Sequence, residues 1–509
     1  MKTTRTALRL AVAASAALVL TAASTHSLAI ADTTRPPDDA AGSLRHLVVG
    51  AFGSPGISVL GVNRAGAMSE APGSPFANGP LSLALSITPD AQKVYSAHTA
   101  TGTITGYRLE PDGSLSPIDG GTVLAGVPAS GLAITPDGSR LFATAGGQVR
   151  SFSISPSGAL TPTGAQPAQT GAISAISQVA ITPDARHLVV TNYLSNSVSS
   201  FTIGPDARLT PTGPPVATGD KPVLPAFTPD GRYLYVSNES SATVSGYAVE
   251  PDGRLTPTPG SPYPTPSTPH GVAITPGGDR LYVPASGADA TGDNSVAGFE
   301  IGPDGALTEQ LPGSPYPVSG AIGRVVLSPD AHRMFAVEGV GDFIGAPAPP
   351  ALPLPQSRVA GEPPGNGNPL VSQVHSYVVN TDGGLAPSGF PPADTGLLWS
   401  DGSTAFTTPN LGPAAALRET GRNGPARTFS AEESSDPDGS IAHYHWDFDD
   451  GHQETTTSPQ ITHRYDQPGE HAVTVTVTDD EGCSTELIYT GTTATCTGGP
   501  HAQARLTVS

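Results

Sequence analysis

A four-residue phrase returns along the sequence at a nearly constant interval, and this repeat limits the possible folds more than any other feature. Ile-Thr-Pro-Asp occurs at 87–90, 134–137 and 181–184, and close variants begin at Phe227, Ile274 and Leu327. The successive spacings are 47, 47, 46, 47 and 53 residues. Self-similarity at such a period is typical of folds that repeat one structural unit. We therefore expect a repeat protein.

Each repeat also carries other short segments with the character of β-strands. A β-rich run follows each phrase, as at 234–236, and Leu47-Val48-Val49 supplies a seventh copy. A further run alternates apolar with small or polar residues and ends at turns such as Pro251-Asp252-Gly253. A fourth element contains Pro, which suits an outer edge strand. Four short strands in each unit predict an all-β, seven-bladed β-propeller over residues 44–410.

The first unit lacks its Ile-Thr-Pro-Asp strand, because Leu44 leads straight into the second run. A segment with the character of this missing strand and turn occurs later in the chain, at Thr395–Trp399 followed by Ser400-Asp401-Gly402. We therefore predict that a C-terminal strand completes the first blade and closes the ring. A solenoid is the alternative repeat architecture, but it would need capping repeats at both ends.

The composition agrees with many turns between short strands. The 509 residues include 60 Gly and 54 Pro, which would interrupt helices, and only 13% are charged. The net charge of −20 argues against nucleic-acid binding, which requires clustered Lys and Arg. A Pro- and Gly-rich insertion, 338–372, interrupts the seventh repeat and is expected to be a lid, a partner-binding loop or an inert loop on the rim.

The first residues have the character of a secretory signal peptide. Three basic residues precede an apolar run at 10–23, and Ala29-Ile30-Ala31 forms a small-x-small cleavage site. The apolar run is shorter than the roughly 20 residues of a membrane-spanning helix. We predict a signal peptide over 1–31, a linker over 32–43 and a secreted protein without a membrane span.

The sequence contains two cysteines, Cys483 and Cys496. An even number of cysteines in an exported chain predicts a disulfide bond. The residues between them, 484–495, are suited to a hairpin with Gly491 at its turn.

Several repeats resemble a known family. Thr191-Asn192, Ser237-Asn238 and the run from Pro229 to Val236 resemble lactonase-type seven-bladed propellers and surface-layer YVTN repeat proteins. The resemblance implies the blade architecture, which supports many functions.

The residues after 410 no longer repeat. The segments 435–441, 444–451 and 473–479 resemble a PKD domain over residues 412–509. This resemblance implies an immunoglobulin-like β-sandwich with Trp446 and Phe448 in its core, which acts as a spacer or contacts protein or glycan.

Two metal sites are conceivable in this C-terminal region. Asp436, Asp438, Asp447, Asp449 and Asp450 offer oxygen ligands for Ca²⁺, although Asp also caps turns. His443 and His445 share one face of a strand but lack a third ligand, so surface histidines are the preferred interpretation. We predict no metal and no cofactor.

No standard catalytic motif is present, so any activity must combine residues from different blades around the channel. The positions where the inner strands begin are mostly small or apolar, and the exceptions are His270, Arg324, Gln178 and Asp394. Pro269-His270-Gly271 resembles the Pro-His element of lactonase-type propellers, which implies that His270 activates water and Arg324 stabilises the oxyanion. Glu338 is expected to orient His270 or act as a base, and Gln178 and Asp394 to bind ligand.

Two functions follow from these features. The preferred one is an extracellular binding or cell-surface interaction protein, whose partner is a polysaccharide, an envelope protein or a small lactone-like ligand. The alternative is a lactonase-like hydrolase at the channel mouth. We expect a monomer.

Overall fold

The computed structural model describes residues 45–171, 176–286, 294–339, 371–398 and 405–509. The predicted signal peptide, the linker and most of the Pro-rich insertion lie outside the described residues. Among the described residues, no helix has the length and apolar character needed to cross a membrane.

Seven sheets in the described part of the chain share one antiparallel pattern, in which the outermost strand is divided into two short pieces. The first four sheets contain β1 (Arg45–Gly50), β2 (Gly56–Val62), β3 (Met68–Glu70) and β4 (Phe76–Ala77); β5 (Ser82–Ile87), β6 (Lys93–His98), β7 (Thr103–Leu109), β8 (Leu115–Pro117) and β9 (Val123–Leu124); β10 (Ala129–Ile134), β11 (Arg140–Ala145), β12 (Gln148–Ile154), β13 (Leu160–Pro162) and β14 (Ala168–Gln169); and β15 (Val179–Ile181), β16 (His187–Asn192), β17 (Ser197–Ile203), β18 (Leu209–Pro211) and β19 (Val216–Ala217). A short 3₁₀ helix, Tyr193–Ser195, joins β16 to β17.

The remaining three sheets follow in chain order, and the inner strand of the sixth sheet is itself divided in two. They contain β20 (Pro222–Phe227), β21 (Tyr233–Asn238), β22 (Thr243–Val249), β23 (Leu255–Pro257) and β24 (Tyr263–Pro264); β25 (Thr268–Pro269), β26 (Ala273–Ile274), β27 (Arg280–Ser286), β28 (Ser295–Ile301), β29 (Leu307–Gln310) and β30 (Tyr316–Pro317); and β31 (Ile322–Leu327), β32 (Arg333–Glu338), β33 (Val371–Val379), β34 (Leu385–Pro387) and β35 (Ala393–Leu398). The next strand is β36 (Ala405–Thr407).

The repeated Thr-Pro-Asp phrase forms the turn between the first two strands of a sheet. The Thr hydroxyl donates to the Asp carboxylate, which accepts the N–H two residues further on, and the residue after Asp has positive φ. The examples are Thr135, Asp137 and Gly138; Thr182, Asp184 and Ala185; and Thr228, Asp230 and Gly231. The phrase recurs because this turn recurs.

Buried tyrosines connect neighbouring sheets. Tyr95 in β6 donates its hydroxyl to the carbonyl of Gly158 in the next sheet at 2.8 Å. Tyr235 and Tyr282 repeat this bond to Gly305 and Gly383 of the sheets that follow them, also at 2.8 Å. Burial raises the pKa of each phenol, so each remains a neutral donor.

The inner strands contact one another in a cycle, in the order β5, β10, β15, β20, β26, β31, β36 and again β5. We call the space that they surround the central channel. The predicted closing strand was wrong in its position. β35, which contains most of 395–399, pairs with β33 as an outer strand of the seventh sheet, whereas β36 pairs with β1. Both segments are apolar, so composition did not distinguish them.

The C-terminal module is built from two sheets and a separate hairpin. One sheet contains β37 (Arg418–Asn423), β38 (Ala426–Ser430) and β41 (Gln460–Arg464), and the other contains β39 (Ile441–Asp447), β40 (Gln453–Thr456), β42 (His471–Asp479) and β45 (Gln503–Val508). Trp446, Phe448 and the alternating Val473, Val475 and Val477 are fully buried between them. A 3₁₀ helix, Pro500–Ala502, precedes β45.

The hairpin consists of β43 (Leu487–Tyr489) and β44 (Ala494–Thr497). Cys483 and Cys496 form a disulfide bond at its base, with Cα atoms 5.6 Å apart. Gly491 lies in its turn with φ +110°, a conformation that favours glycine. The predicted disulfide and turn are therefore both present in the structure.

Candidate functional site

His270 lies where the inner strand of the sixth sheet is interrupted, between β25 and β26. Its residue is 8% exposed. The ring nitrogen Nδ1 is 3.7 Å from Oε1 of Glu239, which immediately follows β21 in the neighbouring fifth sheet. The interruption turns this imidazole toward a carboxylate from another sheet. The inner strands all begin on one side of the channel, and we call this side the start mouth.

The Glu239 carboxylate is itself held in place. The residue is 6% exposed, and its Oε2 accepts a hydrogen bond from the Tyr193 hydroxyl at 2.5 Å. Its backbone N–H donates to the carbonyl of Lys221 at 2.9 Å. A buried carboxylate requires such partners, because burial without them is costly. The side chain therefore has a defined position beside His270.

Lys221 lies close to both Tyr193 and Glu239. Its ammonium nitrogen is 5.7 Å from the centre of the Tyr193 ring. Its backbone has φ +54°, which is unfavourable for a residue other than glycine, and its N–H donates to Oδ1 of Asn196 at 2.9 Å. Tyr193, Lys221, Glu239 and His270 together are called the mouth cluster.

Arg324, in β31, lies next to the mouth cluster. A methyl group added at Gly271 would be 3.7 Å from Arg324 Nη1, so the guanidinium lies against the residue that follows His270. Arg324 is 9% exposed, and its Cζ is 5.5 Å from the centre of the Phe406 ring on β36. The structure thus brings two of the proposed site residues, His270 and Arg324, to neighbouring positions.

Gln178 is engaged elsewhere at the start mouth. Its Nε2 donates to the carbonyl of Ser130 at 2.7 Å and to that of Leu83 at 3.4 Å. The residue is 5% exposed and connects the inner strands of the second, third and fourth sheets. This amide therefore contributes to the packing of the ring, in addition to any contact with ligand.

Glu338 and Asp394 are placed in the seventh sheet. Glu338 accepts the N–H of Gln373 at 3.0 Å, and its Oε1 is 3.0 Å from Nε2 of His375. The histidine that contacts Glu338 is therefore His375. Asp394 belongs to the outer strand β35 and accepts the N–H of Gly396 at 2.8 Å. The expectation that Asp394 lies in a channel-lining strand was wrong, because the closing strand was misidentified.

Sequence reasoning missed Tyr193 and Glu239. Both directly follow the Thr-Asn or Ser-Asn pair that ends the second strand of a repeat. At the corresponding place other repeats have small residues, such as Gly146 and Gly339. A bulky residue with a polar group, at a position that is small in most other repeats and apolar at Phe52, was a usable signal.

The aspartates considered as Ca²⁺ ligands contact other groups of the protein. Within the described ranges, no group of three or more His, Cys, Asp or Glu side chains is arranged to hold a metal ion. Asp438 forms an ion pair with Arg45, and Asp447 and Asp450 each accept a backbone N–H two residues on, from Asp449 and His452. Asp438 thus contacts β1 of the first sheet, and Asp447 and Asp450 stabilise turns within the C-terminal module.

Two family models match the chain. Residues 162–268 match the model described as lactonase, 7-bladed beta-propeller, and residues 410–493 match the PKD domain. The resemblance to lactonase-type propellers with a C-terminal PKD domain is therefore confirmed.

Solved structures of propellers are similar in fold. A putative 6-phosphogluconolactonase from Bacteroides uniformis has a TM-score of 0.55 at 16% identity, covering 71% of this chain and 99% of that chain. The periplasmic gluconolactonase of Pseudomonas aeruginosa has a TM-score of 0.54 at 18% identity, covering 72% and 99%. At these identities the similarity concerns the fold alone.

Part of the chain is similar to curated protease sequences. A microbial collagenase of Vibrio alginolyticus is 44% identical over 70 residues, which is 14% of this chain. The matched segment spans only 8% of the collagenase. The match therefore concerns one module and not the protease.

Proposed function

We propose that this chain is an exported lactonase-like hydrolase, which opens a small lactone at the start mouth of a seven-bladed propeller closed by β36. The observation that carries the proposal is the buried Glu239 carboxylate, held by Tyr193 and facing His270. The guanidinium of Arg324 lies against Gly271, the residue that follows this histidine. A buried carboxylate, imidazole and guanidinium from three sheets supply the groups that ester hydrolysis requires.

The chemistry assigns one role to each side chain. His270 accepts a proton from water as the water oxygen attacks the lactone carbonyl, and Glu239 stabilises the imidazolium that forms. Arg324 stabilises the negative charge on the carbonyl oxygen. The ring C–O bond then breaks, and His270 returns the proton to the departing alkoxide. The product is the open hydroxy acid.

The experiment is hydrolysis of a lactone panel that includes glucono-δ-lactone and 6-phosphogluconolactone. His270→Ala and Glu239→Gln should each lower kcat/KM by at least about 10²-fold, the usual contribution of general acid–base catalysis. His375→Ala is the matched control, because it removes a second histidine that is paired with a glutamate, Glu338, and whose side chain is 12% exposed. Turnover that survives in His270→Ala, or turnover of no lactone at all, would refute the hydrolase.

The PKD match supports a second candidate, which is binding of an extracellular polysaccharide or envelope protein. The disulfide is consistent with an extracellular location, since such bonds persist in oxidising compartments. The proposal includes a signal peptide over 1–31, a propeller over 44–410 and a PKD-like sandwich over 412–509. Binding of a purified polysaccharide by the full chain, with no lactone turned over, would favour this second function.

A further inference from the structure

The disulfide-bonded hairpin leaves the C-terminal sandwich and enters the channel. Tyr489, at the end of β43, is 1% exposed and belongs to an apolar cluster formed with the third and fourth sheets, which includes Val179 and Ile181. Its hydroxyl donates to the carbonyl of Ile134 at 2.6 Å. We call β43, β44 and the turn between them the plug hairpin. Its tip is 490–493.

The tip bonds to inner strands through backbone groups. The N–H of Ile181, at the end of β15, donates to the carbonyl of Gly491 at 2.8 Å. The N–H of Phe227, at the end of β20, donates to the carbonyl of Thr490 at 3.0 Å. The inner strands all end on one side of the channel, and we call this side the end mouth. The plug hairpin therefore satisfies backbone donors at the end mouth, as an additional strand would.

Opposite these contacts, little space remains. A cavity of about 50 Å³ separates the tip from the inner strands of the fifth to seventh sheets and β36. Its lining includes Thr490 and Thr493 of the tip and Arg324 of β31. Such a volume accommodates a few water molecules at most. The hairpin tip thus faces the inner strands of the fifth to seventh sheets and β36 across this cavity.

Gly491 and the disulfide bond suit the plug hairpin to this position. A methyl group at Gly491 would lie 3.0 Å from the Ala180 side chain and 3.2 Å from the ring of Phe227. The glycine is therefore required for close approach to the wall as well as for its positive φ. The disulfide between Cys483 and Cys496 joins the ends of the hairpin to each other at its base.

We propose that the plug hairpin seals the end mouth, so that the channel is a blind pocket that ligands enter only at the start mouth. The C-terminal module is then a fixed stopper of the propeller and not an adhesion module on a free tether. This inference does not depend on the lactone chemistry, because it rests on the backbone hydrogen bonds of Ile181 and Phe227 to the hairpin and not on His270 or Glu239.

Amide hydrogen exchange of the full chain, read residue by residue, tests the seal. The N–H groups of Ile181 and Phe227 are informative, because their acceptors lie in the plug hairpin. Both should exchange slowly in the native protein. Gly491→Val should accelerate both by at least tenfold, since the valine overlaps Ala180 and Phe227. The matched control is Gly451→Val, at a glycine with φ +90° and open space around it.

Each outcome supports or overturns the seal. Slow exchange in the native chain and in Gly451→Val, with fast exchange in Gly491→Val, supports it. Fast exchange at Ile181 and Phe227 in the native chain, while the propeller amide of Thr228 stays protected, would overturn it. If Gly491→Val fails to fold, the exchange rates of the native chain still distinguish a sealed end mouth from an open one.

Discussion

The contact between the C-terminal module and the first sheet includes one buried charge, Arg45 at the start of β1. Its guanidinium forms ion pairs with Asp438 and Glu481 and donates to Oδ1 of Asn410 at 2.9 Å. The arginine side chain is 7% exposed, and the two carboxylates are 18% and 13% exposed. Arg45→Met keeps much of the apolar stem and removes the charge.

The expected cost follows from what the substitution leaves behind. Two nearly buried carboxylates lose their cation, and breaking a buried ion pair on one side costs about 3–5 kcal/mol of unfolding free energy. Arg64 pairs with Asp480 at the same interface but is 37% exposed. Arg64→Met is therefore the matched control, and its expected cost is smaller, about 1 kcal/mol, because it leaves one carboxylate, Asp480 at 15% exposure, instead of two without a cation.

The assay is denaturant unfolding of the full chain and of both variants, followed by circular dichroism. Adding Asp438→Asn and Glu481→Gln to Arg45→Met should recover at least half of the lost stability, because the unpaired charges are then gone. Equal stability of the two arginine variants, or no recovery in the combined variant, would refute the argument that burial gives this cluster its importance.

Three further predictions concern stability. Burial and the nearby charge of Asp438 raise the pKa of Asp436 to about 6, so the folded chain gains stability as the pH falls from 6 towards 4. Asp436→Asn should therefore raise the melting temperature at pH 7 and lose this advantage at pH 4. A change in melting temperature that does not depend on pH would contradict this prediction. Ala185 is half-buried with φ +58°, so Ala185→Gly should raise the free energy of unfolding by about 0.5–1 kcal/mol. Gly231→Ala, at the same place of the next repeat, should lower it by about 1 kcal/mol. Calorimetry that shows effects of the same sign for both variants would contradict this prediction. Tyr235→Phe should cost about 1–2 kcal/mol, because the Gly305 carbonyl loses its donor, and an unchanged unfolding midpoint would contradict it.

The elements predicted best are those that depend on neighbours in the sequence. The Thr-Pro-Asp turns form through hydrogen bonds between residues two to five apart, so each repeat that contains the phrase also contains the partners of its turn. The turn at Gly491 and the disulfide are local in the same sense, with a separation of 13 residues between the two cysteines. The inner-strand position of His270 followed from the same periodicity.

The partners of these elements were harder to predict. The sequence pattern indicated His270 but not Glu239, because the two belong to different repeats and meet only when sheets pack side by side. Asp394 was misplaced because β35 and β36 are both plausible closing strands by pattern alone. Pairing of β36 with β1 joins residues more than 350 positions apart, for which a single sequence offers no register.

The sequence by itself determined that the chain forms repeated four-stranded units with a separate β-module, since strand periodicity and turn chemistry act over a few residues. Only the tertiary structure decided which strand lies beside β1, which carboxylate faces His270, and that the plug hairpin fills the end mouth. The bond from Tyr489 to Ile134 spans 355 residues. Such contacts form because two finished surfaces fit together, and that fit depends on the positions of all the sheets at once.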